Sequence, residues 1–61
     1  MKDPIMKFFE FKHLPEHLQI VSRPFCDLAQ EMHALLTDGA EKKWTLRKIL
    51  EAKDCAVRAA L

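Results

Sequence analysis

The chain of 61 residues has one glycine, no tyrosine, three prolines and two cysteines. A lone glycine, Gly39, excludes the glycine-rich loop that wraps a phosphate in backbone N–H groups. No apolar run approaches the roughly 20 residues that cross a bilayer, so no membrane partner is expected. The opening Met1-Lys2-Asp3-Pro4-Ile5-Met6 lacks the apolar stretch of a secretory signal, and the expectation is a protein of the cytosol with reduced thiols. Met6 is a second candidate start, which would leave residues 1–5 upstream. Strong charge of one sign is missing too: the net charge is +1, too little for a long nucleic-acid duplex to be the expected partner.

What is present points to helix. The composition is 49% hydrophobic and 31% charged, outside the low-hydrophobicity, high-net-charge regime of disordered chains. Turn formers and β-branched residues are few. A chain this short makes one domain that buries little surface, and such domains lean on a disulfide, a metal or a partner subunit. The charge is unevenly placed: residues 1–40 hold four Lys/Arg against six Asp/Glu, and residues 41–61 hold six against three.

The expected architecture is all-α: an antiparallel helical hairpin over residues 14–61, preceded by an aromatic arm over residues 1–13 and assembling as a helical oligomer. The second helix is the plainest. Asp38 and Glu41 have the spacing of a capping box, and the residues behind them are strong helix formers without proline or glycine. Leu46, Ile49, Leu50, Val57 and Leu61 recur at helical intervals, and Ala52, Cys55, Ala56, Ala59 and Ala60 would let another backbone approach. The first helix starts at Leu14-Pro15-Glu16-His17, where proline and an acid suit a first turn. Leu18, Val21, Phe25, Leu28, Met32 and Leu35 follow at alternating intervals of three and four, an a/d-type seam. Pro24 predicts either a kink or a break in which Ser22 caps a fresh helix. A turn as short as Thr37-Asp38-Gly39 makes the two helices antiparallel.

In the arm, Phe9 and Phe11 alternate with Glu10 and Lys12 as in an extended segment. Its phenylalanines either seal the core, pack on a neighbouring subunit or stack on a ligand. The exposed aromatics and the small-residue stripe suggest association with further copies.

Candidate chemistry is sparse. His13 and His17 are four apart, but Pro15 lies between them and no third ligand converges, so no metal site is expected. Cys26 and His33 are seven apart, about 10 Å along a helix axis, too far for a base to activate a thiol. Cys26 and Cys55 read as buried small hydrophobes, with a bridge between the helices as the alternative. No enzyme and no cofactor are expected. What remains is cations with aromatics. Lys12 and His13 adjoin Phe11, and Arg47, Lys53 and Arg58 lie on the second helix. Arg58, bracketed by Val57 and Ala59, needs an acid or a phosphate: an intrahelical Asp54–Arg58 pair or a bound anion. Lys42, Lys43 and Lys48 read as a solvated face.

His13-Leu14-Pro15-Glu16-His17-Leu18-Gln19, then Arg23-Pro24-Phe25 with Asp27-Leu28-Ala29, then the run from Leu46-Arg47-Lys48-Ile49-Leu50-Glu51-Ala52-Lys53-Asp54 into Cys55-Ala56-Val57-Arg58-Ala59, resemble small phage proteins with a helical hairpin domain. That domain is shared by phage sponges that sequester nucleotide signals of bacterial anti-phage immunity, the anti-CBASS and anti-Thoeris sponge families. The likeness spans about residues 11–61. It implies a non-enzymatic homo-oligomer, often a hexamer in those families, acting in the host bacterial cytosol. The implied partner is a cyclic oligonucleotide or ADP-ribose-type signal held between subunits. Residue by residue, Arg58 resembles a phosphate-contacting arginine, Lys53 belongs to a polar pair one turn earlier, and Phe11 with Lys12 is the implied aromatic contact. The sponges favour tyrosine in that region, and this chain has none. The candidate ligand-binding residues are therefore Phe11, Lys12, Arg47, Lys53 and Arg58. The alternative is a small adaptor or antitoxin-like hairpin that docks on a protein through exposed Phe and Trp.

Overall fold

The computed structural model describes residues 4–61. A 3₁₀ helix, Pro4–Phe9, leads into two long helices, α1 (Glu16–Leu35) and α2 (Ala40–Ala60), with no strand among the described residues. The helices pack on each other as a hairpin and the 3₁₀ helix packs on both. The molecule measures 34 × 18 × 16 Å; its long axis is set by helices that rise about 1.5 Å per residue. Of the expected arm, residues 1–3 lie outside the described residues. The remainder is not extended: Pro4–Phe9 winds into the 3₁₀ helix because Phe9 has a core to enter, and it is completely buried there.

α1 begins where residues 14–17 place it, with Pro15 at the N-cap. The Pro15 carbonyl accepts from the N–H groups of Leu18 (2.9 Å) and Gln19 (3.0 Å). Gln19 Nε2 donates to the carbonyl of Leu14 at 2.8 Å and to that of Lys12 at 3.3 Å, so one side chain ties the incoming strand of chain to the first turn. α1 then runs unbroken through Pro24. The fresh helix capped by Ser22 does not form. Pro24 is exposed and forfeits only the bond to the Ile20 carbonyl, while Ser22 is fully buried inside the hairpin and its hydroxyl has no hydrogen-bond partner.

The core departs from the expected seam. The buried line of α1 is Leu18, Ser22, Cys26 and Ala29; Leu28 and Leu35 are exposed. Small residues at 22, 26 and 29 let α2 and the 3₁₀ helix come close, so the contact line passes one residue to the side of the bulky stripe. Phe9, Cys26, Ala29, Leu46 and Ile49 form the core cluster, flanked by half-buried Ile5, Met6, Phe11, Phe25, Met32 and Leu50. Phe9 and Leu46 are its largest fully buried apolar side chains, each worth about 1.5–3 kcal/mol of transfer free energy. Of the apolar set expected for α2, Leu46 and Ile49 are buried and Leu61 is exposed.

The turn corrects a second expectation. Gly39, not Asp38, is the N-cap of α2, and no side chain caps the helix, so the Asp38–Glu41 capping box is absent. Gly39 takes φ 154° and ψ −177°, a backbone region that only glycine occupies at low cost. Asp38 instead accepts a charged hydrogen bond from Lys42 Nζ at 2.9 Å. Lys42 is buried rather than part of a solvated face: its methylene stem lies along the hairpin while its ammonium reaches out to the exposed carboxylate. That hydrogen bond, then the Lys42 charge, hold the Asp38 carboxyl below its ordinary value of 3.8.

Both cysteines are free, Cys26 buried and Cys55 exposed, so the bridge does not form and Cys55 is no core residue. Burial, then the charges of Asp27 and Glu10, push the Cys26 thiol up. Its sulfur accepts from Gln30 Nε2 at 3.6 Å.

Candidate functional site

One edge of α2 remains for chemistry. Lys43, Arg47, Leu50, Asp54 and Val57 are spaced four, three, four and three apart, which places them within an arc of about 80°. The 3₁₀ helix lies against this edge, leaving an open groove at either side of it. The larger, about 870 Å³, is lined by Phe8, His33, Asp38, Lys42, Lys43, Trp44, Arg47 and Leu50, among others. The smaller, about 390 Å³, is lined by Lys7, Phe8, Glu10, His13, Leu14, Lys53, Asp54, Val57 and Arg58. Phe8 belongs to both.

The opposite fates of two adjacent phenylalanines explain this layout. Phe9 turns inward and is buried; Phe8 turns outward and is 55% exposed. Lys7 Nζ sits 5.6 Å from the centre of the Phe8 ring, within the range at which the ring face attracts a cation. The only tryptophan, Trp44, is likewise more than half exposed, in the first turns of α2.

The five residues singled out from the sequence do not form one cluster. Lys53 and Arg58 line the smaller groove. Arg47 lines the larger one. Phe11 is half-buried against the core and Lys12 is exposed; neither borders either groove. The backbone at 11 and 12 serves the turn instead, the Phe11 carbonyl accepting from Leu14 N–H at 3.0 Å. Lys7, His13, Phe8 and Trp44 are the side chains that sequence reasoning left out of the site. The crowding of phenylalanines before residue 12 was the available signal, but an alternating pattern cannot say which ring of a 3₁₀ turn faces out.

The two cations of the smaller groove on α2 are engaged to different degrees. Of the two alternatives open for Arg58, the intrahelical pair with Asp54 does not form. Asp54 pairs with its neighbour Lys53 at 3.0 Å, and Arg58 Nη2 donates to Cys55 Sγ at 3.3 Å. A thiol is a weak acceptor, so the guanidinium keeps most of its donors for a stronger one. Lys53 is nearly buried, its side chain 14% exposed, whereas that of Asp54 is 46% exposed. The Lys53 ammonium is held by the Asp54 carboxylate, and both residues line the smaller groove. Such a site can hold an anion beside an aromatic face.

Among the described residues no group of three His, Cys, Asp or Glu side chains converges to hold a metal ion. His13 borders the smaller groove and His33 the larger. No described helix is long and apolar enough to cross a membrane. No protein-family model, curated protein or solved structure matches the chain.

Proposed function

We propose that this chain is a phage anti-defence sponge: a non-enzymatic helical hairpin that binds and sequesters a cyclic nucleotide or ADP-ribose-type immune signal without cleaving it. The observation that carries the reading is the meeting of Lys7, Lys53 and Arg58 beside the exposed Phe8 ring in one groove. Guanidinium and ammonium groups bind phosphate oxygens through charge-assisted hydrogen bonds, and an aromatic face stacks any base. The resemblance of residues 11–61 to the hairpin sponges supports the same reading. Capture acts by mass: a protein that binds the signal and releases it unchanged lowers its free concentration in the host cytosol. Assembly into a homo-oligomer, often a hexamer in the families it resembles, belongs to the proposal, and exposed Leu28 and Leu35 are the surface of α1 offered to another copy.

A second reading, an adaptor-like interaction hairpin, draws on the Lys53–Asp54 pair and on the exposed Ile20 and Trp44. Thermal melting against a panel of cyclic di- and trinucleotides and ADP-ribose derivatives separates the two. The sponge predicts that one compound raises Tm by several degrees through mass action and is recovered intact after denaturation. A flat panel favours the adaptor. Recovery of a cleaved compound contradicts both.

A further inference from the structure

The larger groove has no role in the contacts just described, yet it carries the same ingredients: an exposed aromatic, Trp44, with Arg47 and Lys43 beside it. It lies on the same edge of α2 and meets the smaller groove at Phe8, the one residue lining both. We propose that the two grooves are halves of one extended site, and that the Trp44–Arg47 groove takes the second nucleotide unit of a ligand whose first unit sits against Lys53 and Arg58. This rests on the nucleotide-binding reading and adds a subsite and a minimum ligand size to it.

The spacing sets that size. Trp44 and Arg58 are fourteen residues apart in one continuous helix, about 21 Å along its axis. A base stacked on Trp44 and a phosphate held by Arg58 are too far apart to belong to one nucleoside monophosphate. A ligand with two bases and two phosphates can place one of each in either groove. Charge agrees. The larger groove has three cationic side chains against the single acid Asp38, which Lys42 already neutralises, leaving Lys43 and Arg47 over. The smaller has three cations against Glu10 and Asp54. Each groove therefore has cation to spare for a phosphate, although the whole chain is only +1. Phe8, between them, is the wall along which the two units divide.

Trp44 is the sole tryptophan in a chain without tyrosine, so intrinsic fluorescence reports on the larger groove alone. The test titrates wild type, Arg47→Glu and Arg58→Glu with cyclic di-AMP, cyclic di-GMP and linear pApA, with AMP and GMP as one-unit controls, reading fluorescence and calorimetry together. Both substituted side chains are exposed, and circular dichroism checks that the variants stay helical. The expected result is that at least one two-unit compound quenches Trp44 and binds at least tenfold more tightly than its monophosphate, and that each variant weakens it at least tenfold. Heat of binding with Trp44 silent and Arg47→Glu unaffected overturns the second subsite and leaves the Lys53–Arg58 groove standing. Equal affinity for one-unit and two-unit compounds overturns it as well. No heat with any of these compounds overturns this inference, while the nucleotide reading stands or falls separately on the cyclic trinucleotides and ADP-ribose derivatives of the melting panel.

Discussion

The two long helices share one contact line and use it differently. α1 gives the line its small residues, Ser22, Cys26 and Ala29, and leaves Ile20, Leu28 and Leu35 in the open. α2 gives it Leu46 and Ile49, together with the stem of Lys42, and sets Lys43, Arg47, Lys53 and Arg58 on the walls of the two grooves. In this minimal hairpin the closest approach of the helices follows the small side chains. The bulky ones then flank the line, some sealing the core and others left over for another surface. The 3₁₀ helix completes the arrangement by sending Phe9 into the core and Phe8 outward.

The contrast between those two rings is the sharpest way to break this account. Phe9→Ala removes the largest buried side chain and should cost about 3–5 kcal/mol, enough to unfold so small a domain, as a melt followed by circular dichroism would read. Phe8→Ala should leave Tm nearly unchanged while weakening nucleotide binding. Similar melts for the two variants would erase the division between core and groove. Gly39→Ala comes next. A Cβ there meets nothing within 4 Å, so any cost is backbone strain at φ 154°, about 1–3 kcal/mol. Unchanged stability to urea would mean that the turn adopts another conformation.

Ser22→Ala sharpens the account of α1 and runs in the other direction. It removes a buried hydroxyl that has no partner, and should stabilise by about 1 kcal/mol; a loss of stability would show that the hydroxyl is satisfied in solution. The smallest effect belongs to the α2 turn. The Asp38 carboxyl is held below 3.8 in the folded chain, so its pair with Lys42 stabilises at neutral pH. That contribution fades as pH falls through the unfolded value towards the lowered folded one. Asp38→Asn should flatten the melting profile slightly over that acid range, and a profile identical to wild type would deny the pair any part in stability.

Much of this was legible beforehand. The hairpin, the start of α1 at Pro15 and the burial of Leu46 and Ile49 follow from helix formers, a proline in place and helical spacing. The phase of α1 was not, because hydrophobicity ranks Leu28 above Ala29 while close packing prefers the alanine. The capping box failed because Asp38 had a stronger partner in Lys42, four residues on, than in a backbone N–H. Arg58 stands out in the sequence because a cation among small apolar residues needs an anion, and Lys53 enters only through the resemblance; the structure puts both on the wall of the smaller groove. Phe11 enters only through the resemblance; the structure packs it against the core and leaves Phe8 facing out, because the 3₁₀ winding of Pro4–Phe9 sends Phe9 inward and its neighbour outward.

The central claim is capture without turnover in the groove walled by Lys53 and Arg58. The most direct measurement mixes the protein with each cyclic nucleotide and ADP-ribose derivative, removes unbound compound, denatures the complex and identifies what is released, for wild type and for Lys53→Glu/Arg58→Glu. The account predicts that one compound is retained by the wild type, is released chemically unchanged, and is lost by the double variant while its helicity persists. Retention by the double variant at wild-type affinity, or release of a cleaved compound, would contradict it.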